Sequence, residues 1–359
     1  MNSFQQYDDN KGEYQIKLQD HIAYRYEILD VLGKGSFGQV LKVYDYKRKE
    51  IVALKIIKNK QKFHEQAIIE LNILHYIKEK DSDNQTNIVK IRDFVIFRNH
   101  VCLVFELLSI NLYQLLRNNN FQGLSLELIR RFGIQILNAI SFLKKNNIMH
   151  CDLKPENILL KQANKSGVKL VDFGSSCFVN EVIYTYIQSR YYRAPEIILG
   201  IPYGTEIDMW SFGCIMAELY IGYPIFPGKN ENEQMLFIME LLGVPDIEFL
   251  KKCQRKKYYF DENYQPILIP NSKGKIRIPG SKSWKSTLGC NDEKFIDFLK
   301  KCLVWEPEKR IQARECLLHP WILEGLPKEI RLQHIKILTE EINENFSQDI
   351  SSVLEVTYF

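Results

Sequence analysis

The chain lacks any apolar run of the eighteen or so residues that a membrane-spanning helix needs. Its opening, MNSFQQYDDN, lacks the basic and then apolar character of a secretory leader, so the expectation is a chain kept in a reducing compartment. Eight cysteines stand at 102, 151, 177, 214, 253, 290, 302 and 316, and no C-x-x-C pair occurs among them. That argues against a zinc knuckle or a dithiol redox motif and predicts free thiols. An excess of charge of one sign is lacking too. The 48 Lys and Arg nearly balance 44 Asp and Glu, and a net of +4 gives no support for a dedicated nucleic-acid binder. No internal repeat and no low-complexity linker is visible. What is present is 359 residues of ordinary globular composition, 45% hydrophobic and 26% charged, enough for a sizeable core.

The pattern along the chain changes once. Residues 1–20 are polar and read as irregular. From Tyr24 onward strands are expected at 26–32, 40–46 and 51–57, the last rich in β-branched residues. Phe63, Ala67, Leu71, Leu74 and Lys78 recur at helical spacing, which predicts one amphipathic helix over 62–79 before strands near 88–96 and 101–106. After Leu108 the reading is helical. Ser125 can cap a helix with the stripe Leu128, Phe132, Ile136, Ile140 and Leu143. Residues 207–221 are apolar nearly all round, which predicts a buried helix ended by Gly222. Residues 243–290 lose regular pattern and read as a surface insertion, and a helix resumes near Asp292.

Three stretches carry chemistry. Gly33-Lys34-Gly35-Ser36-Phe37-Gly38-Gln39-Val40 has the G-x-G-x-x-G-x-V form, in which glycines let backbone amides approach phosphate oxygens. A hairpin needing left-handed residues would also explain it. A dinucleotide fold would place a helix next, whereas here a strand follows. Lys55, one strand further on, could hold nucleotide phosphates, and a buried lysine needs an anion, for which Glu70 on the following helix is the candidate. A lysine on a solvated strand face is the alternative. The third stretch is Ile148-Met149-His150-Cys151-Asp152-Leu153-Lys154-Pro155-Glu156-Asn157, followed by Val171-Asp172-Phe173-Gly174. Asp152 suits the proton of an acceptor hydroxyl, Lys154 the phosphate in transfer, and Asn157 with Asp172 a divalent cation. A loop of capping residues is the plain alternative.

Together these stretches resemble the protein-kinase signature set from about Arg25 to Trp321. The resemblance implies an α+β, bilobal fold, with a β-rich lobe over 26–108, a helical lobe over 109–322, an insert near 243–290 and a tail over 323–359. It implies ATP held by Leu32 through Val40 (Leu32, Gly33, Lys34, Gly35, Ser36, Phe37, Gly38, Gln39, Val40), by Lys55, and by a hinge of Phe105, Glu106, Leu107 and Leu108 with Phe105 as gatekeeper. Mg2+ is the implied metal, with Mn2+ as an alternative. Ala194-Pro195-Glu196 fits the end of the activation segment, Asp208 the anchoring carboxylate of the buried helix, and Arg310 the partner of Glu196.

One departure narrows the family. Kinase loops commonly read His-Arg-Asp, and here the middle residue is Cys151. His150-Cys151-Asp152, Asp172 through Cys177, and Tyr184-Thr185-Tyr186 through Glu196 resemble the dual-specificity tyrosine-regulated kinases (DYRK) of the CMGC group, most of all the second, largely cytoplasmic subclass. Tyr7 through Asn10 and Asp20 through Tyr26 look like that family's homology box, within the N-terminal segment 1–25. The resemblance implies autophosphorylation on Tyr186, whose phosphate would face Arg190 and Arg193, with Tyr184 as a second loop tyrosine. Aromatic packing is the alternative for both tyrosines. It also implies protein substrates with Ser or Thr next to Pro and an upstream Arg, for which Glu156 is a candidate contact. The remaining expectations are a monomer in the cytoplasm, with a nuclear pool as the variant, and no nucleic-acid or membrane partner. That subclass carries a long N-terminal segment supporting the tyrosine step, and only about twenty residues precede the domain in this sequence.

Two features stay open. Cys151 and Cys177 would lie close together, either as a redox pair or as small apolar residues. Lys251 through Lys257 is either a solvated face or an import patch, and Ile330, Ile335, Ile337 and Leu338 give the tail a short amphipathic pattern. A scaffold that keeps the fold without chemistry would be expected to have lost Lys55, Asp152 or Asp172.

Overall fold

A computed structural model of the chain describes residues 7–81, 83–181, 185–271, 273–329, 331–332 and 335–336. The chain falls into two compact units, one of residues 1–115 with 148–183 and one of residues 116–147 with 184–359.

The first unit is built on a six-stranded antiparallel sheet. Its strands are β1 (His21–Ile22), β2 (Tyr26–Lys34), β3 (Gly38–Asp45), β4 (Glu50–Ile57), β5 (Ile91–Phe97) and β6 (His100–Glu106). They lie side by side as β1-β2-β3-β4-β6-β5, which places β4 in the interior, where six successive residues from Val52 to Ile57 are buried. A run buried on both faces is what its Val, Ile and Leu content favours. Helix α1 (Gln61–Lys80) buries Ala67, Glu70, Ile73, Leu74 and Ile77, a stripe at helical spacing, and its last turn carries Lys78 and Lys80 against the negative end of the helix dipole. Two short ribbons complete the unit. β7 (Ile148–Met149) pairs with β10 (Cys177–Phe178), and β8 (Ile158–Leu160) with β9 (Val168–Leu170). The loop of Asp152, Lys154 and Asn157 therefore lies between β7 and β8, and the Asp-Phe-Gly turn between β9 and β10.

From Tyr7 on, the described residues before Tyr24 are anchored by specific contacts rather than loose. Asp9 closes a turn by accepting the N–H groups of Lys11 and Glu13, both at 2.8 Å. Tyr14 and Ile22 are buried with Tyr26, Ile28, Leu41, Val43 and Ile56 in one apolar cluster. Asp8 Oδ1 lies 2.7 Å from His100 Nε2, and the guanidinium of Arg98 stacks 3.5 Å from the Tyr7 ring. The polar composition of this stretch hid these two apolar anchors.

In the second unit α3 (Leu126–Lys145) follows a short α2 (Leu112–Asn118) that begins in the first. Ser125 Oγ accepts the Leu128 N–H at 3.3 Å, and Ile129, Phe132, Ile136, Ile140 and Leu143 are buried. The following helices are α4 (Pro195–Leu199), α5 (Glu206–Ile221), α6 (Glu231–Leu242), α7 (Ile247–Lys251), α8 (Trp284–Leu288), α9 (Glu293–Cys302), α10 (Ala313–Leu317) and α11 (Pro320–Glu324). α5 is buried from Ile207 through Leu219 and stops at Gly222, whose φ of 90° is open to glycine at little cost. Asp292 caps α9 by accepting the Phe295 N–H at 2.9 Å. The stretch 243–290 is more than a surface insertion, because Phe249, Leu250, Cys253, Tyr259 and Phe260 within it are buried. Its scattered aromatics anchor it without any period that a sequence reading would catch. Among the described residues no helix is long and apolar enough to cross a membrane.

Candidate active site

The centre of the first unit is a triad of charges. Lys55 Nζ lies 2.9 Å from both carboxylate oxygens of Glu70 and 2.7 Å from Asp172 Oδ1. Three elements bring them together: β4 carries Lys55, α1 carries Glu70, and the turn after β9 carries Asp172. Burial by itself would pull the Lys55 ammonium down, but the charges of Asp172 and Glu70 overcome it and hold its pKa above the ordinary lysine value. Burial pushes the Glu70 carboxyl up, and the second carboxylate at Asp172 adds to that while Lys55 opposes it. At Asp172 burial also works upward, yet Lys55 beside it, with His150 and Lys154, brings the pKa below the usual carboxylate value. Two carboxylates converge on one ammonium, a cluster of hard oxygens that suits a cation.

The loop after β7 supplies the second group. Asp152 Oδ2 lies 2.6 Å from Lys154 Nζ and 3.4 Å from Asn157 Nδ2, and Asn157 Nδ2 also donates to the Asp152 carbonyl at 2.9 Å. Asn157 is tied further by its backbone, since its carbonyl accepts the Val171 N–H at 3.0 Å. Asn157 and Asp172 are thus brought together through adjacent strands. The loop holds its shape at a cost. Cys151 and Asp172 both have φ of +64°, a region that non-glycine residues occupy at a cost of about 1–3 kcal/mol. Such strain persists where the surroundings fix it, and His150 is one of those surroundings. Its Nδ1 accepts the Asp152 N–H at 3.3 Å, its Nε2 lies 3.0 Å from the Val171 carbonyl, and its ring meets Phe173 edge-on at 4.9 Å.

The donor set can be tested against the metal that the sequence suggests. Among the described residues no group of three or more His, Cys, Asp or Glu could hold a metal ion. Mg2+ requires no such group. It takes oxygen ligands, keeps several waters, and binds through one or two carboxylates together with substrate phosphates. Asp172 and the amide oxygen of Asn157 are hard donors of that kind, so the residues fit.

The glycine loop divides by position. A Cβ built on Gly33 would meet nothing within 4 Å, and one on Gly35 only the Gly38 carbonyl at 4.0 Å, so this stretch of backbone is open to a phosphate. At Gly38 a Cβ would stand 2.0 Å from the Ile56 carbonyl oxygen. The third glycine serves the close approach of β3 to β4. Leu32 through Ser36 are exposed. Gln39, placed by the sequence among the nucleotide-binding residues, turns its side chain away from them. In the β3–β4 register Val40 pairs with Lys55 and Gln39 with Ile56, so alternation puts Val40 on the lysine's face and Gln39 on the other. There Gln39 is 2% exposed, and its Nε2 donates to the Tyr14 carbonyl at 2.8 Å. Phe37 packs edge-on against Phe63 of α1, at 5.9 Å. Phe105 is nearly buried at the end of β6 and precedes Leu107 and Leu108, which are partly exposed. The Glu106 carboxylate is committed elsewhere, to Lys169 Nζ at 2.6 Å and the Lys90 N–H at 2.7 Å. Sequence reasoning missed Lys169, because nothing local marks a pair separated by 63 residues.

The segment after the Asp-Phe-Gly turn is pinned within the first unit. Ser176 Oγ donates to the His150 carbonyl at 3.0 Å, and Cys177 lies with its sulfur 4.0 Å from that of Cys151. Tyr184 lies outside the described residues. In the second unit Tyr186 is 61% exposed, and the Arg193 guanidinium stacks 4.1 Å from its ring. Arg193 also donates to the Ile187 carbonyl at 2.9 Å, the Gln188 carbonyl at 2.8 Å and Glu231 at 3.2 Å. Arg190 donates to the carbonyls of Gly228 and Lys229. Both arginines stand near Tyr186 in sequence, and among the described residues it is Arg193 whose guanidinium meets its ring. Glu196 and Arg310 form a two-pronged ion pair, at 2.8 and 3.0 Å, and Asp208 is buried in the first turn of α5. Glu156 is exposed on the loop.

The protein kinase domain family matches residues 26–322. Human dual specificity tyrosine-phosphorylation-regulated kinase 4 is 54% identical over 316 residues, 88% of this chain and 61% of the relative. Dual specificity tyrosine-phosphorylation-regulated kinase 2 of Drosophila melanogaster is also 54% identical over 316 residues, 88% of this chain and 44% of the relative. A Dictyostelium discoideum protein named probable serine/threonine-protein kinase dyrk2 is 52% identical over 318 residues, 88% of this chain and 35% of the relative. The chain thus spans between about a third and three-fifths of the length of these curated relatives.

Proposed function

Because the chain belongs to the protein kinase domain family and resembles the dual-specificity tyrosine-regulated kinases within it, we propose that it transfers the terminal phosphoryl group of ATP to serine or threonine of protein substrates, and to its own Tyr186. The observation that carries this is the contact of Lys55 with both Glu70 and Asp172, beside a loop that presents Asp152, Lys154 and Asn157. Membership of the family implies ATP and a divalent metal, which when bound supply the phosphoryl group and neutralise its charge. Mg2+ suits the donors, and Mn2+ would be accepted by the same oxygens.

In this reading the Asp152 carboxylate orients the acceptor hydroxyl and takes its proton, the acceptor oxygen bonds to phosphorus, and ADP departs. Lys154 neutralises the group in transfer. Lys55, held by Glu70, aligns the phosphates that the open backbone of Gly33 to Ser36 covers, and Asn157 and Asp172 direct oxygens at the metal. Exposed Glu156 is suited to an arginine upstream of the acceptor, and a proline next to the acceptor completes the preference that the sequence resemblance implies. A phosphate on Tyr186 would recruit Arg193, whose guanidinium now lies over the tyrosine ring and also holds Glu231. We place the chain in the cytoplasm, with a nuclear pool as the variant, acting as a monomer.

Expression in bacteria, which lack eukaryotic upstream kinases, followed by phosphosite mapping tests the reading. Phosphate on Tyr186 that disappears in Asp152→Asn is the expected result. Wild-type protein that carries no phosphate and labels no protein substrate would refute it, and would favour a scaffold.

A further inference from the structure

Gln66 lies one turn before Glu70 on α1 and donates its side-chain amide to the backbone carbonyl of Gly174. Glu70 holds the ammonium of Lys55, which in turn binds Asp172. Residues four apart on a helix face the same way, so one face of α1 reaches Gly174 through its carbonyl and Asp172 through Lys55. A third contact follows further along the helix, where the Tyr76 ring meets Phe178 edge-on at 5.5 Å. The opposite side of the turn is held by the loop, through Ser176 to the His150 carbonyl and His150 to Phe173.

Between these two grips stands Asp172, in a left-handed conformation that an aspartate tolerates at some cost. A Cβ at Gly174 would meet both Asp172 Oδ1 and Glu70 Oε2 at 3.4 Å, an ordinary contact distance, so the Gly174 backbone lies beside the charge triad. Two planar peptide units join Gly174 to Asp172, and they pass a shift of the Gly174 carbonyl back to the Asp172 backbone.

We propose that Gln66 is a positioning residue for Asp172. By holding the Gly174 carbonyl it fixes the direction in which the Asp172 carboxylate meets the metal. The inference rests on the kinase reading above for its consequence, and on the Gln66–Gly174 hydrogen bond for its cause. Gln66 is only partly buried, so Gln66→Met, which removes the donor at similar size, and Gln66→Glu, which replaces it with an acceptor, are both compatible with the fold.

The full chain carrying each variant is compared with wild type by hydrogen exchange across residues 173–176 and by titrating activity against Mg2+. Loss of one constraining hydrogen bond is expected to speed exchange at these amides by about tenfold. Misdirecting a metal carboxylate is expected to raise the Mg2+ requirement by about tenfold while the KM for a peptide substrate stays unchanged. Unchanged exchange at 173–176 in the folded variants overturns the proposal, as does faster exchange with an unaltered Mg2+ requirement. A wild-type chain that transfers no phosphate defeats the kinase reading instead, and the exchange comparison still decides whether Gln66 holds the turn.

Discussion

Arg310 and Glu196 meet with both side chains fully buried, and the guanidinium uses its remaining N–H groups on the carbonyls of Glu206 and Val304. The pair joins the helix that ends the activation segment to the chain after α9, across 114 residues. A buried ion pair gives little net stability when intact, because desolvation offsets the attraction, but a single buried charge without its partner costs a great deal.

Glu196→Leu and Arg310→Met are each therefore expected to destabilise the second unit by about 3–5 kcal/mol, and the two together by less than the sum of the singles. Denaturant melts of the two single variants and the double variant measure the difference. A loss in the double variant equal to that sum would mean that packing, and not the charge pair, sets the stability.

At Lys55 the charge is not enough, because both Glu70 oxygens and Asp172 Oδ1 converge on one nitrogen. Lys55→Arg keeps the charge and moves the donors by an ångström or so, and the planar fork does not replace a point donor. Turnover is expected to fall by about a hundredfold or more with the thermal midpoint nearly unchanged. Steady-state assays beside a melting curve check this.

The three glycines of the phosphate loop are expected to behave differently. Gly38→Ala drives a methyl group into the Ile56 carbonyl and should cost about 1–3 kcal/mol or more of stability. Gly33→Ala and Gly35→Ala meet no such obstacle and should leave stability within about 0.5 kcal/mol. Their effect is expected on nucleotide affinity, read by titration with an ATP analogue.

Arg25 donates to Asp45 at 2.7 and 2.6 Å and to Asp93 at 2.8 Å. Burial alone would raise both carboxyls, but the Arg25 guanidinium and nearby N–H groups hold them below the ordinary carboxylate value. A folded pKa below the unfolded one means that the unfolded chain binds protons more readily. The stabilisation is then complete above the ordinary aspartate value of 3.8 and is lost as pH falls through the depressed folded pKa. Asp45→Asn should cost about 2–3 kcal/mol at neutral pH. The gap to wild type should narrow as the solution is acidified below about pH 4, as followed by denaturant melts at several pH values.

Much of the site could be read from the sequence because its groups are close in the chain or sit on regular elements. Asp152, Lys154 and Asn157 share one loop, and the spacing from the Lys55 strand to Glu70 on α1 follows from a strand and a helix of legible period. Facing was harder. Gln39 belongs to the glycine motif by sequence, and only the pairing of β3 with β4 reveals that its side chain leaves by the other face. Gln66 and Gly174 are 108 residues apart, and Asp8 and His100 are 92 apart. Such pairs leave no periodic trace, because a single polar residue on a helix or in a turn looks the same whether or not a distant partner awaits it.

The burial of Tyr14 and Ile22 with Tyr26, Leu41 and Ile56 bears on how the protein should be handled. A fragment cut where the family match begins, at Tyr26, would strip two of these residues from the outer face of β2 and β3 and bare an apolar surface. Protein cut there is expected to self-associate and precipitate, whereas a start before Tyr7 keeps that face covered and the preparation soluble.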